Sequence, residues 1–340
     1  MLPAMRRAHS HVPCTGSSFG LQPEQLPNEW FSAINLWYGG NIMKRMVWIS
    51  LFLILNLAVC LPAQPSPPKI TMIPVVGPVY MLQGGGGGNI GLVADPAGIF
   101  MIDAMEESTA GQIRELIRPL PGGDRIRVLV NTHWHGDHVN GNKAFGPGAV
   151  IMAHENVRRL LAKDLVFFNR QFKAFPSSAL PNITYADKSM VYAGGESIRL
   201  VHYPSAHTDG DTVVFLDALK VVHMGDMFFN GMFPFLDVDN GGDIDHWVRQ
   251  LDVILPTLPA EIKIIPGHGP LAGIGELKAF RQMLVDSAEF VRQQIKEGKT
   301  LDQIKAAVLP DALVPWSKGF LKPPQWVELV FRSLEKQKTT

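Results

Sequence analysis

Three imidazoles and a carboxylate fall within six residues of this chain: His133, His135, Asp137 and His138 in the run His133-Trp134-His135-Gly136-Asp137-His138. Imidazole nitrogen suits zinc, iron and similar ions, and a neighbouring carboxylate adds a hard oxygen donor. A turn that wraps a metal ion accounts for this spacing better than a polar turn that happens to be rich in histidine. Trp134 and Gly136 read as spacers. Three further polar points follow: His207 in Ser205-Ala206-His207-Thr208-Asp209-Gly210-Asp211, Asp226 after Gly225, and His268 in Pro266-Gly267-His268-Gly269. Each has a glycine close by, which permits a tight turn or a close approach.

The elements that must position these residues read as an α/β alternation. Apolar runs predict strands over 70–82, 98–102, 126–130, 149–153, 198–203, 212–216, 221–224 and 262–265. Helical patterns cover 108–118, where Ser108 reads as the cap, and 155–163. Further helices cover 243–255, capped by Asp243, and 276–296, and two shorter ones close the chain. Most strands end in a histidine or aspartate, including Asp103, so the polar residues collect along one edge of a sheet system, where ligands bind in layered α/β folds. Five consecutive glycines, 84–88, make either a mobile loop or a close backbone approach, and no Gly-Lys-Ser/Thr follows to suggest a phosphate cradle.

On the 133–138 run, the His207 and Asp226 loops, the 267–269 Gly-His-Gly and the strand ending at Asp103, the sequence resembles the metallo-β-lactamase superfamily over residues 70–270. The resemblance implies a four-layer αβ/βα sandwich. It implies that His133, His135 and His207 bind one metal, that Asp137, His138 and His268 bind a second, and that Asp226 bridges them. Two Zn(2+) ions, or iron or manganese, about 3.5–4 Å apart could share a water and lower its pKa towards neutrality, and the resulting hydroxide would attack a carbonyl. Asp137 could also orient the nucleophile and pass a proton, as the catalytic residue of the set. Asp103 is expected to fix a ligand from behind.

The substrate expectation is an ester, lactone or amide, because a bridging Asp226 resembles glyoxalase II-like thioesterases and lactonases more than β-lactamases with a cysteine ligand. β-Lactam hydrolysis and glyoxalase II-like thioester hydrolysis are the alternatives, and a mononuclear iron dioxygenase of the persulfide type is the alternative of another class. A flavin-linked oxygen reductase is disfavoured, since its motif has Glu where this chain has His135. The partner is then a small molecule. Zero formal net charge over 340 residues argues against nucleic acid.

His154, His202, His223 and His246 have no place in that pattern and read as hydrogen-bonded core or surface residues. Asp209 and Asp211 read as turn residues. Phe167, Phe168, Phe172, Phe175, Phe228, Phe229, Phe233 and Phe235 are expected in loops, either as core cover or as an apolar wall to the substrate groove.

Upstream, Met43-Lys44-Arg45, the apolar stretch 46–61 and Pro62-Ala63-Gln64-Pro65 describe a secretory signal peptide over 43–63, cleaved after Ala63. Residues 1–42 then read as an extension ahead of a true start at Met43, and 64–340 as the hydrolase domain. Both cysteines, Cys14 and Cys60, precede residue 64, so the mature chain has neither a disulfide nor a thiolate ligand. The expected location is periplasmic or secreted, with no stable membrane span after cleavage and Cys60 only a poor lipidation site.

Overall fold

The computed structural model describes residues 68–167 and 170–337. The signal segment, Met43, both cysteines and Phe168 lie outside the described residues. Within this region the strands number β1 Ile70–Val76, β2 Val79–Gly84, β3 Ile90–Val93, β4 Ile99–Ile102, β5 Ile126–Val130, β6 Val150–His154, β7 Leu165–Phe167, β8 Arg170–Phe172, β9 Ile183–Tyr185, β10 Lys188–Ala193, β11 Glu196–His202, β12 Thr212–Leu216, β13 Val221–His223 and β14 Lys263–Ile265. A seven-stranded sheet runs β1-β2-β3-β4-β5-β6-β9 and a five-stranded sheet runs β10-β11-β12-β13-β14.

The apolar runs are continuous because both faces of each sheet are covered. In β4, Phe100 and Ile102 enter the core between the sheets, with Val128 and Val130 of β5, and meet Ile198, Leu200 and Val214 from the second sheet. Ile99 and Met101 point the other way, towards Ile113 and Ile117 of helix α1, Ala110–Ile117. The outer face of the second sheet packs on α5 (Ile244–Ile254), α6 (Ile274–Lys296) and α8 (Pro323–Lys336) through Trp247, Phe280 and Trp326. These are the four layers expected, helix–sheet–sheet–helix. The remaining helices are short: α2 Gly136–Val139, α3 Asn142–Phe145, α4 Glu155–Leu161 and α7 Leu301–Lys305.

Several local expectations change. Ser108 does not cap a helix: a 3-10 turn over Glu107–Thr109 comes first, and Thr109, at the N-cap of α1, donates its hydroxyl to Glu106 O instead. His154, not a helix residue, caps α4 by accepting from Asn156 N. Asp243 does cap α5, accepting from His246 N. Phe167 and Phe172 lie on a two-stranded hairpin, β7–β8, rather than in a loop. β9 and β10 had no place in the sequence reading, because β9 has only three residues and both are largely exposed.

Candidate metal centre

The strand ends deliver the polar residues to one place. β5 ends at Val130, and the histidine run follows at once, its last turn forming α2. β4 delivers Asp103, β13 leads to Asp226, and β14 leads to His268. The side chains fall into two groups whose donor atoms lie within 4.8 Å of one another: His133, His135, His207 and Asp226 in one, Asp137, His138 and His268 in the other. All seven sequence candidates are in these groups.

Asp226 stands between them. Its Oδ2 is 3.6 Å from His133 Nε2 and 3.4 Å from His207 Nε2, and its Oδ1 is 3.1 Å from His138 Nε2 and 3.5 Å from His268 Nε2. Each oxygen thus faces one group. Asp137 Oδ2 is 3.3 Å from His268 Nε2, and the Asp137 side chain is about a third exposed, the most accessible of the seven.

The hydrogen bonds behind the rings assign each imidazole's proton. His138 Nδ1–H donates to Asp103 Oδ2 at 2.8 Å, and His207 Nδ1–H donates to Phe235 O at 2.8 Å. Thr132 gives its hydroxyl proton to Asp103 Oδ2, so His133 Nδ1–H donates to Thr132 Oγ1 at 3.0 Å. His135 Nε2–H donates to Asp237 Oδ2 at 3.0 Å. His133 and His207 therefore turn an unprotonated Nε2 inward and His135 an unprotonated Nδ1, while His138 turns Nε2 inward. His135 Nδ1 and His207 Nε2 face each other at 2.9 Å, and His133 Nε2 and Asp226 Oδ1 are buried without a hydrogen bond. Lone pairs converging at such distances repel unless a cation lies among them, and unpartnered buried polar atoms are costly. The donor set, imidazole nitrogens and carboxylate oxygens with no thiolate, fits divalent ions of the zinc, iron or manganese kind.

The electrostatics of His133 and His207 agree, whereas His138 is pushed well above its usual range, its burial being outweighed by Asp226, Asp137 and Asp103. Burial holds His207 down to about 4, so the ring is neutral at ordinary pH. Burial also drives His133 well below the usual range, with His138 adding to it. For Asp226, burial favours the neutral acid, but His138, His268 and His133 overcome it and keep the carboxylate ionised. Asp137 is likewise held ionised, burial being outweighed by His138 and His268.

Two residues that support this site, Asp237 and Asn89, carried no sequence signal. Asp237 is buried and also accepts from Trp134 Nε1 at 3.2 Å, so Trp134 is more than a spacer. Asn89 donates to Pro266 O and Gly269 O, holding the loop that carries His268, and Phe229 stacks on that ring at 4.9 Å. The glycine run makes a close approach: a Cβ on Gly88 would lie 2.0 Å from His138 Cε1. Asp103 itself sits at φ 62, a conformation rare outside glycine that costs about 1–3 kcal/mol and tends to persist at functional sites.

The other histidines lie elsewhere. His223 bridges Asn89 O and Gly225 N in the core. His154 and His202 stack on one another at 3.6 Å, and His246 is on the surface of α5. Asp211 serves its own turn, accepting from Thr208 N and Oγ1. Asp209 takes Arg159 at 3.0 Å.

Beside the two groups opens a groove of about 660 Å³, walled by Trp134, Phe167, Phe172, Phe235 and Phe320, with Arg170 and Glu106 also lining it. The aromatic residues thus divide. Phe167, Phe172 and Phe235 form the wall, whereas Phe228, Phe229 and Phe233 are fully buried core. Phe320 comes from beyond α7 and had no place in the sequence reading. Phe175 packs away from the metal groups, against Lys143.

Chelation supplies a direct check. Removing bound ions is expected to lower the melting temperature by about 10 °C, since an ion at a thousandfold its Kd adds about 4 kcal/mol to the stability. Calorimetry with and without chelator measures it, and an unchanged transition would count against a metal at this site.

Comparison with known proteins places this geometry. Residues 83–268 match the family model described as the metallo-beta-lactamase superfamily. A double mutant of the sec-alkyl sulfatase PisA1 superposes with a TM-score of 0.60 at 14% identity, covering 78% of this chain and 50% of that one. The chain therefore spans about half the length of that sulfatase. A metallo-beta-lactamase from Pontibacter korlensis gives 0.50 at 19% identity over 64% of this chain and 99% of its own. The metallo-beta-lactamase DIM-1 gives 0.50 at 21% identity over 64% and 98%. With the matched segment spanning every residue of both metal groups, this chain belongs to the metallo-beta-lactamase superfamily.

Proposed function

We propose that the chain is a metal-dependent hydrolase that cleaves an ester, lactone or amide whose acyl or alcohol part is apolar. The observation that carries this reading is Asp226, one oxygen of which faces each group of imidazoles. His133, His135 and His207 would hold one divalent ion and Asp137, His138 and His268 the other, with Asp226 shared; zinc fits, and iron or manganese would too. Such a pair supplies Lewis acidity and an acidified water at neutral pH.

The remaining steps belong to the protein. Asp137, ionised and open to the groove, accepts a proton from the attacking water and returns it to the leaving oxygen or nitrogen. The phenylalanine wall holds the apolar part of the substrate and excludes water from its face. Asp103, through His138 directly and through Thr132 to His133, keeps rings of both groups aligned while this happens.

A panel of aryl and alkyl esters, lactones, thioesters, β-lactams, phosphoesters and secondary alkyl sulfates, offered to the metal-replete protein, tests the reading. Turnover of an ester, a lactone or an unstrained amide supports it. Cleavage of β-lactams, thioesters or alkyl sulfates alone would move the assignment to that class, and oxygen uptake with one iron per chain would overturn it. Phe320→Ala is expected to raise KM for the longest apolar substrates about tenfold, the worth of roughly 55 Å² of lost contact, with kcat little changed. We further propose that the protein is exported to the periplasm or secreted, supported by the basic, apolar and small-residue pattern at 43–63. N-terminal sequencing of the mature protein checks this, and a mature chain that retains residues 43–63 would sink it. Among the described residues no helix is long and apolar enough to cross a membrane.

A further inference from the structure

We propose that Phe235-Leu236-Asp237 is a clamp that sets the first metal group, with Asp237 as its positioning residue. This rests on the reading above, that His133, His135, His207 and Asp226 hold an ion.

Four hydrogen bonds to Phe235 and Asp237 tie this segment to His207, His135 and Trp134, two of them at imidazole nitrogens. Phe235 O accepts from His207 Nδ1 at 2.8 Å, and Asp237 N donates to His207 O at 3.0 Å. The Asp237 carboxylate accepts from His135 Nε2 at 3.0 Å and from Trp134 Nε1 at 3.2 Å. His135 thereby keeps its proton on Nε2 and presents Nδ1 inward, the opposite choice from His133, His138 and His207, which present Nε2. Without an acceptor at Asp237, nothing in these contacts would favour that tautomer. The carboxylate also places a negative charge one hydrogen bond behind a group whose other anion is a share of Asp226. Such a partner orients a ligating imidazole and raises its basicity.

The second observation is that only a carboxylate satisfies this position. Asn240 N donates to Asp237 Oδ1 at 3.2 Å, and Asn240 Nδ2 donates to Oδ1 at 3.0 Å and to Oδ2 at 3.1 Å. Donors therefore approach Asp237 from both sides. An amide, with one accepting oxygen and one donating NH2, must turn a donor towards either His135 and Trp134 or Asn240.

The test is a titration with Co2+ alone, under chelator competition, following the ligand-field spectrum of each site. The parent chain is expected to take two ions. In Asp237→Asn, affinity at one site is expected to fall about 10–100-fold while the other holds. In the double variant Asp237→Asn/Asn240→Asp, the amide oxygen can face His135 and its NH2 can face the new carboxylate. Affinity should then recover in part, short of the parent, because the backbone N–H of residue 240 still faces the NH2 and the anion no longer lies directly behind His135. The proposal is overturned if Asp237→Asn binds two ions with parental affinity, if it loses both sites together, or if the double variant recovers nothing. A parent that takes no ion at all would instead remove the metal reading itself, a result distinguishable from the other three. Melting temperatures of the three metal-free proteins separate loss of affinity from loss of fold.

Discussion

Asp226→Ala is expected to abolish hydrolysis and leave the chain folded. The carboxylate is almost wholly buried, faces His133 and His207 with one oxygen and His138 and His268 with the other, and is kept ionised against that burial chiefly by His138 and His268. Alanine removes the only anion that the first group possesses and the only atom pair that joins the groups. The chemical step then loses at least about a thousandfold in kcat/KM, or ~4 kcal/mol. Nothing comparable is lost from the fold. Asp226 sits in a short 3-10 turn whose backbone bonds, such as Phe228 N to Gly225 O at 3.2 Å, do not involve the side chain. Asp226→Asn keeps the shape but points NH2 hydrogens at one set of unprotonated nitrogens, so it should fare little better. Steady-state kinetics with metal content measured on the same samples decides the matter: undiminished turnover of every substrate with Asp226 removed would end the two-group mechanism.

The second large effect is expected from a residue with no side chain. A Cβ on Gly267 would lie 2.0 Å from Asp226 Oδ1 and 2.6 Å from Gly225 C, distances at which something must move. The backbone here cannot give easily, because Gly267 N donates to Gly225 O at 2.7 Å and to Phe228 O at 3.0 Å, and Gly267 O accepts from Asn89 N at 2.7 Å. The added methyl therefore displaces the carboxylate. Gly267→Ala should lose nearly as much activity as Asp226→Ala and about 3 kcal/mol of stability from overpacking. Gly275, in the first turn of α6 with nothing within 4 Å of its would-be Cβ, is the control: alanine there should leave kinetics alone and stabilise slightly. Chemical denaturation and kinetics on the two variants test the contrast. Equal behaviour of the two would show that the close approach at Gly267 does not matter.

The legible parts of this molecule share a physical character. β5 and β12 have the bounds read from sequence because apolar runs between turn signals need no tertiary context. The seven candidate side chains were legible because metal donors are chemically distinctive and stand at strand ends. The start of α1 was less so: Ser108 looked like a cap, yet a 3-10 turn satisfies the backbone there instead. The hairpin β7–β8 was missed because it makes its own two-stranded sheet, apart from the two large ones, from strands of only three residues, none of them buried. The eight phenylalanines of the sequence reading could not be sorted into core and wall, since that division depends on which residues face the groove.

By itself, the sequence determined the strand-and-loop order apart from β7 to β10, and the seven donors, whose family likeness implied their division into two sets. These rest on local spacing, where a strand of three to seven residues ends and a polar side chain begins. Only the tertiary structure decided how the donors are aimed. Asp237 lies about a hundred residues from His135, Thr132 reaches Asp103 across 29 residues, and Gly267 matters through Asp226 across 41. A hydrogen bond that chooses a tautomer, or an absent methyl that leaves room for a carboxylate, is a relation between distant segments with no spacing of its own. The strand ends supply the candidate ligands, and the contacts between strand ends decide which nitrogen of His133, His135, His138 and His207 faces inward.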